Sequence, residues 1–114
     1  MKITDWLSFK AVPQISAETL NTQLSEGGHN LFLLDVRSHT EWKLSHIPAS
    51  HCMPVFNIDI SQIPKDSRII CICLTAHRST PIVRQLLRHG YDAYELTGGM
   101  RHWWKRHYPT NNHA

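Results

Sequence analysis

The chain has 114 residues, of which 41% are hydrophobic, and it carries a formal net charge of +3 at pH 7. This length suffices for one domain with a modest core, and the mild, scattered positive charge fits small anions rather than nucleic acid. Three cysteines, an odd number, argue against a disulfide framework and fit a reducing compartment. The N-terminus lacks a signal-peptide core and no apolar run approaches membrane-spanning length, so we expect a soluble, cytoplasmic protein without nucleic-acid or membrane partners.

The first predicted elements are a helix and a buried strand. Ser16 is a suitable N-cap for the helix, and the glycine pair at positions 27 and 28 would end it. The apolar run at residues 31–34 then predicts a buried strand. This strand would deliver Asp35 and Arg37 to its carboxyl end.

A short helix is predicted next, over residues 40–45, because the Ile47-Pro48 pair that follows would stop it. In such a helix Arg37 and Glu41 would lie one turn apart if the turn begins early enough. That spacing predicts an ion pair between the two side chains.

The second half of the chain continues the alternation of strands and helices. Residues 52–55 form a brief extended piece, 58–64 a short helix or turn, 68–72 and 91–96 two strands, and 100–107 a final helix. Alternation at this rhythm predicts an α/β fold in which a parallel sheet carries helices on both faces.

A cysteine lies where the chain passes from a predicted strand into a helix. Cys73 follows the strand at 68–72, in a loop that leads into a helix capped by Ser79 or Thr80. Free amides at the helix N-terminus, the helix dipole and Arg78 all favour a thiolate, the nucleophilic form of cysteine. The same amides could hold an anionic substrate. An inert, buried cysteine is the alternative, but the strand–loop–helix context favours a reactive one.

Five short motifs follow one another in the sequence. They are Leu34-Asp35-Val36-Arg37, Glu41-Trp42, His46-Ile47-Pro48, Cys73-Leu74-Thr75-Ala76-His77-Arg78-Ser79, and Gly98-Gly99-Met100 with Trp104. In this order and with these gaps, they resemble the motifs of single-domain rhodaneses. The resemblance covers residues 15–109 and leaves residues 1–14 as a lead-in and 110–114 as a polar tail. It implies a three-layer α/β fold with a central, mostly parallel five-stranded sheet and helices on both faces.

The resemblance also implies an activity. In rhodaneses a catalytic cysteine takes sulfane sulfur from a donor such as thiosulfate, becomes a persulfide, and passes the sulfur to cyanide or a thiol. Cys73 matches that nucleophile, an acceptor protein is a further candidate partner, and no cofactor is expected. The loop residues expected to hold the outer sulfur and the donor anion are Leu74, Thr75, Ala76, His77, Arg78 and Ser79. Asp35 and Arg37 match residues that brace the loop.

Three positions depart from the family pattern, because Ser45, Ala49 and Ala76 stand where rhodaneses have glycine. Glycine adopts positive φ at no steric cost, whereas alanine resists it by about 1 kcal/mol. A loop that needs such an angle would be strained by alanine. Because all three positions differ together, we expect the surrounding loops to have adapted to geometries that the new residues accept.

Two other function classes stay open. One is a phosphatase of the cysteine–arginine type, although four residues separate Cys73 from Arg78, one fewer than phosphatases of this chemistry have. The other is a binding or regulatory module that keeps the fold without turnover.

The remaining cysteines, histidines and tryptophans favour structural roles. Cys71 is expected in the core and Cys52 near the edge of the sheet, where a resolving-thiol role is not favoured. The nine histidines show no metal-ligand spacing, so no metal site is expected. Of Trp103 and Trp104, one is expected in the core and the other at the surface.

Overall fold

A computed structural model describes residues 12–28, 30–75 and 78–112 of the chain. Most of the expected lead-in lies outside these residues, as do Ala76 and His77. In the described part, five strands form one sheet: β1 (Gln14–Ile15), β2 (Leu31–Asp35), β3 (His51–Cys52), β4 (Arg68–Ile72) and β5 (Asp92–Leu96). Their spatial order is β1-β5-β4-β2-β3, and every neighbouring pair is parallel. The predicted parallel sheet is therefore confirmed.

Helices connect the strands where the sequence predicted them. They are α1 (Ala17–Ser25), α2 (His39–Leu44), α3 (Thr80–Arg88) and α4 (Gly99–Lys105), with short 3₁₀ turns at Val55–Asn57 and Ile60–Gln62. Ser16 caps α1 by accepting the Thr19 N–H at 3.0 Å. Ser38 and Glu41 form a capping box that was not predicted from the sequence, and α2 therefore begins one residue earlier than expected. None of these helices is long and apolar enough to cross a membrane.

The sheet buries a separate apolar cluster on each face. Along β4, Ile69 and Cys71 point to the cluster that holds α3, whereas Ile70 and Ile72 point to the cluster that holds α1 and α4. This alternation follows from the two-residue period of a strand, and both faces are apolar because both carry helices. The main contributions of α1 and α4 to the second cluster are Ala17, Leu20, Met100 and Trp103.

The two adjacent tryptophans of α4 have opposite environments, as expected. Trp103 is fully buried, and its indole N–H donates to the Pro109 carbonyl at 2.9 Å. Trp104 is 37% exposed, and its indole N–H donates to the Ser45 hydroxyl at 2.9 Å. Ser45, which stands where the family pattern has glycine, therefore makes a contact that glycine could not make. Its φ of −168° is extended backbone that any residue adopts.

Ala49 behaves differently from Ser45. It lies in the turn in which the Ser50 N–H donates to the Ile47 carbonyl at 3.1 Å, and its φ is +69°. This is the left-handed region, which costs a residue with a Cβ about 1–2 kcal/mol. The expectation that the surrounding loops have adapted is therefore wrong at Ala49, because the backbone keeps a conformation suited to glycine.

We predict that Ala49→Gly stabilises the protein by about 0.5–1 kcal/mol, because relief of the strained φ exceeds the extra entropy of glycine in the unfolded chain. The urea midpoint of unfolding measures the change. Ser45→Gly is the matched control, since it removes the contact with Trp104 at an unstrained position and should lower the midpoint. A lower midpoint for Ala49→Gly would contradict the account of this turn.

Candidate active site

Cys73 follows β4 at the carboxyl edge of the sheet. The neighbouring strand β2 ends at the same level, since Asp35 pairs with Ile72 and the Val36 N–H donates to the Ile72 carbonyl at 2.9 Å. The Cys73 side chain is 1% exposed, and its Sγ donates to the Ser79 Oγ at 3.4 Å. Ser79 immediately precedes α3, so the sulfur lies at the positive end of that helix dipole. The structure thus places the cysteine where the sequence predicted, and its chemical role stays a prediction.

Backbone amides of helix α4 bind the cysteine loop. The Met100 N–H donates to the Cys73 carbonyl at 2.8 Å, and the Arg101 N–H donates to the Leu74 carbonyl at 3.0 Å. These amides belong to the first turn of α4, where helix N–H groups have no partner within the helix. Gly99 has φ +58°, and a Cβ there would lie 2.4 Å from the Cys73 carbonyl oxygen. Only glycine lets the helix approach the loop this closely.

A buried ion pair braces the end of β2. Arg37 donates to both carboxylate oxygens of Asp35, at 2.9–3.2 Å, and both side chains are at most 1% exposed. The same guanidinium donates to the Ser45 carbonyl at 2.6 Å and lies 5.9 Å from the centre of the Trp104 ring. The predicted pair of Arg37 with Glu41 is wrong, because Arg37 precedes the helix and its side chain turns inward to Asp35. This inward position fits the expected bracing role.

Glu41 pairs with Arg78 of the cysteine loop instead. The guanidinium donates to the two carboxylate oxygens at 3.2 and 3.1 Å, in a partly exposed position. This contact, helped by the Ser38 N–H, lowers the pKa of the Glu41 carboxyl to about 2, and it raises the pKa of Arg78. The sequence predicts that Arg78 attracts the donor anion. In the structure, the Glu41 carboxylate binds the Arg78 guanidinium and thereby connects the loop to α2.

The buried carboxylate of Glu95 was not predicted from the sequence. It lies on β5, is 5% exposed, and accepts hydrogen bonds from Ser79 at 2.7 Å, from Thr80, and from Gln14 at 2.9 Å. Ser79 therefore begins α3 without a side-chain cap, which corrects the expected capping role of Ser79 and Thr80. The sequence does contain a signal for this buried carboxylate. Glu95 follows Ala93 by two positions in the same strand, so a charged residue lies on the inward face of the strand.

The two other cysteines have structural positions. Cys71 is buried opposite Glu95, and burial, with the negative charge of Glu95, raises the pKa of its thiol. Cys52 lies on the edge strand β3, where burial and the charge of Asp35 raise the pKa of its thiol. Both placements agree with the sequence predictions. Neither environment favours a thiolate.

The remaining loop positions are only partly described. Leu74 and Thr75 are half-buried, and Ser79 is fully buried. Ala76 and His77 lie outside the described residues, so the expected effect of alanine at position 76 stays a prediction. Across residues 12–28, 30–75 and 78–112, no group of three or more His, Cys, Asp or Glu side chains is arranged to hold a metal ion.

A family model of the rhodanese-like domain matches residues 16–106, nearly the whole of the described chain. The chain belongs to the rhodanese-like domain family. Among solved structures, the rhodanese-like domain of an Anabaena protein superposes with a TM-score of 0.79 at 26% identity, covering 88% of this chain and 79% of that one. A rhodanese-like domain protein of Staphylococcus aureus has a TM-score of 0.74 at 27% identity, with 80% and 90% covered.

Several relatives are named as sulfurtransferases. One from Allochromatium vinosum is 30% identical over 95 residues, 81% of this chain and 88% of the relative. A tRNA sulfurtransferase of Desulfurococcus amylolyticus is 26% identical over 81% of this rhodanese-like chain, which spans only 19% of that protein. A probable adenylyltransferase/sulfurtransferase of Mycobacterium tuberculosis is 30% identical over 74% of this chain, which spans 23% of it. The chain therefore spans about a fifth of the length of these two relatives.

The first prediction from this site concerns Gly99. Gly99→Ala should lower stability by at least about 2 kcal/mol and displace the loop, because its Cβ would meet two backbone carbonyls and the residue would have positive φ. Denaturant unfolding measures the stability, and alkylation of Cys73 reports on the loop. Gly27→Ala is the control, because φ is also positive there and no atom lies within 4 Å of the added Cβ. Equal losses in the two variants would contradict the close-approach argument.

A second prediction concerns the pH dependence of the Glu41–Arg78 contact. Because folding lowers the pKa of Glu41 from 4.5 to about 2, its contribution to stability is complete above about pH 4.5 and is lost as the pH falls toward 2. At neutral pH, Glu41→Gln should be less stable by about 1 kcal/mol, a modest value because the pair is partly exposed. Unfolding of both proteins between pH 7 and 2 should show the difference shrinking below about pH 4.5.

The Arg78→Gln background serves as the control for this titration. Without the guanidinium, replacement of Glu41 should remove only its capping contact with Ser38, and the pH-dependent part of the difference should shrink. A difference between wild type and Glu41→Gln that stays constant down to pH 2 would contradict the assigned role of the ion pair.

Proposed function

We propose that this rhodanese-like chain is a sulfurtransferase that carries sulfane sulfur as a persulfide on Cys73. The observation that supports it most directly is the position of the Cys73 sulfur, at the carboxyl end of β4 and beside the first residues of α3. A helix N-terminus stabilises a thiolate and an anion next to it. The 30% identity to a sulfurtransferase of nearly the same length supports the same activity.

The proposed reaction has two displacement steps. The Cys73 thiolate attacks the outer sulfur of a donor such as thiosulfate, the sulfur–sulfur bond of the donor breaks, and its electron pair leaves with sulfite. Cys73 then carries a persulfide. A nucleophile such as cyanide or a thiolate attacks the outer sulfur of the persulfide, and Cys73 leaves as the thiolate. No net electron transfer to another group is needed, because each step forms and breaks one bond to sulfur.

The surface beside the loop fits an anionic donor or acceptor. An open depression of about 650 Å³ is lined by Thr75, Gly98, Arg101, His102, Trp104 and Lys105. Within residues 12–28, 30–75 and 78–112, Arg101 and Lys105 have no ion-pair partner, so their positive charges stay available. Because Arg78 is held by Glu41, these two cations would attract the anion toward the loop. An acceptor protein with an acidic surface could approach along the same side.

The test compares Cys73→Ser with Cys52→Ser in sulfur transfer from thiosulfate to cyanide. Cys73→Ser should lose all measurable transfer, whereas Cys52→Ser should retain it, because Cys52 lies on the edge strand and has a thiol disfavoured as a thiolate. Thermal unfolding of both variants checks that they remain folded. Transfer retained in Cys73→Ser would refute the assignment. A wild-type protein that is folded but transfers no sulfur from any donor would favour the binding module.

A further inference from the structure

The Glu95 carboxylate is surrounded by hydrogen-bond donors. Ser79 and Thr80 donate their hydroxyl protons to Oε2, and the Gln14 side-chain N–H donates to Oε1 at 2.9 Å. The orientation of the Gln14 amide is fixed at both ends, because its nitrogen also donates to the Val12 carbonyl and its oxygen accepts from the Thr97 hydroxyl. All three of these hydrogen bonds are directed at the two carboxylate oxygens of a nearly buried side chain.

Ser79 connects this carboxylate to the reacting sulfur. A serine hydroxyl has a single proton, and a carboxylate can only accept, so the Ser79 proton is directed at Glu95 over 2.7 Å. The Ser79 oxygen then faces Cys73 with a lone pair, and it accepts the Cys73 S–H at 3.4 Å. The chain of bonds runs from Cys73 through Ser79 to Glu95. Cys73 and Ser79 are each at most 1% exposed.

Removal of the Cys73 proton to solvent would leave two negative charges on either side of one hydroxyl group. Two acidic groups so close in a buried site cannot both ionise without a large cost in free energy. If the thiol proton moves to the Ser79 oxygen while the Ser79 proton moves to Glu95, the buried charge stays at one. The S–H bond breaks, a carboxyl O–H bond forms, and Ser79 now donates to the thiolate. Every group remains hydrogen-bonded in both arrangements.

We propose that Cys73 and Glu95 share one proton through Ser79, so that Glu95 receives the proton of Cys73 when the thiolate forms. Glu95 acts through Ser79 and is therefore a positioning residue, and the inference rests on Cys73 being the reacting group of the proposed sulfur transfer. Other ionisable groups lie on the elements around the pair. Cys71 on β4 pairs with Glu95 across the sheet, and Arg78 of the loop is held by Glu41 of α2. Asp35 and Arg37 form their ion pair at the end of β2, and Arg84 lies one turn beyond Thr80 on α3.

A shared proton has a signature that a lone thiol lacks. While the pair holds one proton, the fraction of thiolate is fixed by the balance between the two sites and does not change with pH. Alkylation of a lone thiol instead slows about tenfold for each pH unit below its titration. The reaction of Cys73 with iodoacetamide should therefore show a pH-independent plateau on the acid side of neutrality.

The experiment measures the iodoacetamide rate at Cys73 from about pH 5 to pH 8, by mass spectrometry of the Cys73 peptide, which excludes reaction at Cys52. Wild type should show the plateau. Glu95→Gln should lose it and slow about tenfold per pH unit, because glutamine cannot take the proton. Glu18→Gln, the same change at a partly exposed carboxylate on α1, should keep the plateau. No sulfur donor is used, so the result is separate from whether thiosulfate is turned over.

Ser79→Ala gives a second readout if Glu95→Gln does not fold. Without the hydroxyl the thiolate loses its donor, and the plateau rate should fall at least about tenfold. The proposal is overturned if the wild-type rate falls steadily through the whole range, if Glu95→Gln keeps the plateau, or if Ser79→Ala leaves its level unchanged. A plateau that is lost in Glu95→Gln, lowered in Ser79→Ala and kept in Glu18→Gln would establish the shared proton.

Discussion

The carbonyl oxygens of Cys73 and Leu74 lie against the first turn of α4, and the position of the cysteine loop depends on this contact. The amides of Met100 and Arg101 bind the two carbonyls, and Gly99 leaves the space between them. The loop is thereby fixed on the side opposite to α3. A sulfur that must be presented to a small anion gains from such fixed support, because its geometry does not have to be ordered during reaction.

The charged side chains of Arg78 and Glu95, on either side of Cys73, are both bound to other groups. Arg78 is bound to Glu41, which ties the loop to α2 but reduces the pull of that guanidinium on a thiolate. Glu95 lies on the other side, behind Ser79. In the proposed mechanism, the helix dipole of α3 and the sharing of a proton with Glu95 are the main means of forming a nucleophile in this buried site. This arrangement differs from the simple picture of a cysteine activated by a neighbouring arginine.

The fold could be predicted because its signals are local. The cap at Ser16, the apolar period of each strand and the glycines that end helices each lie within a few residues of the feature they determine. The partners of the charged residues could not be predicted in this way. Arg37 lies two residues from Asp35 and four from Glu41, and only the inward turn of the chain before α2 decides between them. The contact of Glu95 with the loop depends on the register of β5 beside β4, which sequence spacing does not contain.

In the proposed function, the Cys73 sulfur accepts and releases a single sulfur atom. Intact-protein mass spectrometry after treatment with thiosulfate, and again after cyanide, measures both steps on one sample. We expect a gain of one sulfur atom per chain, located at Cys73 by peptide mapping, that cyanide removes completely. A chain whose mass does not change, or a gain located on Cys52, would contradict it.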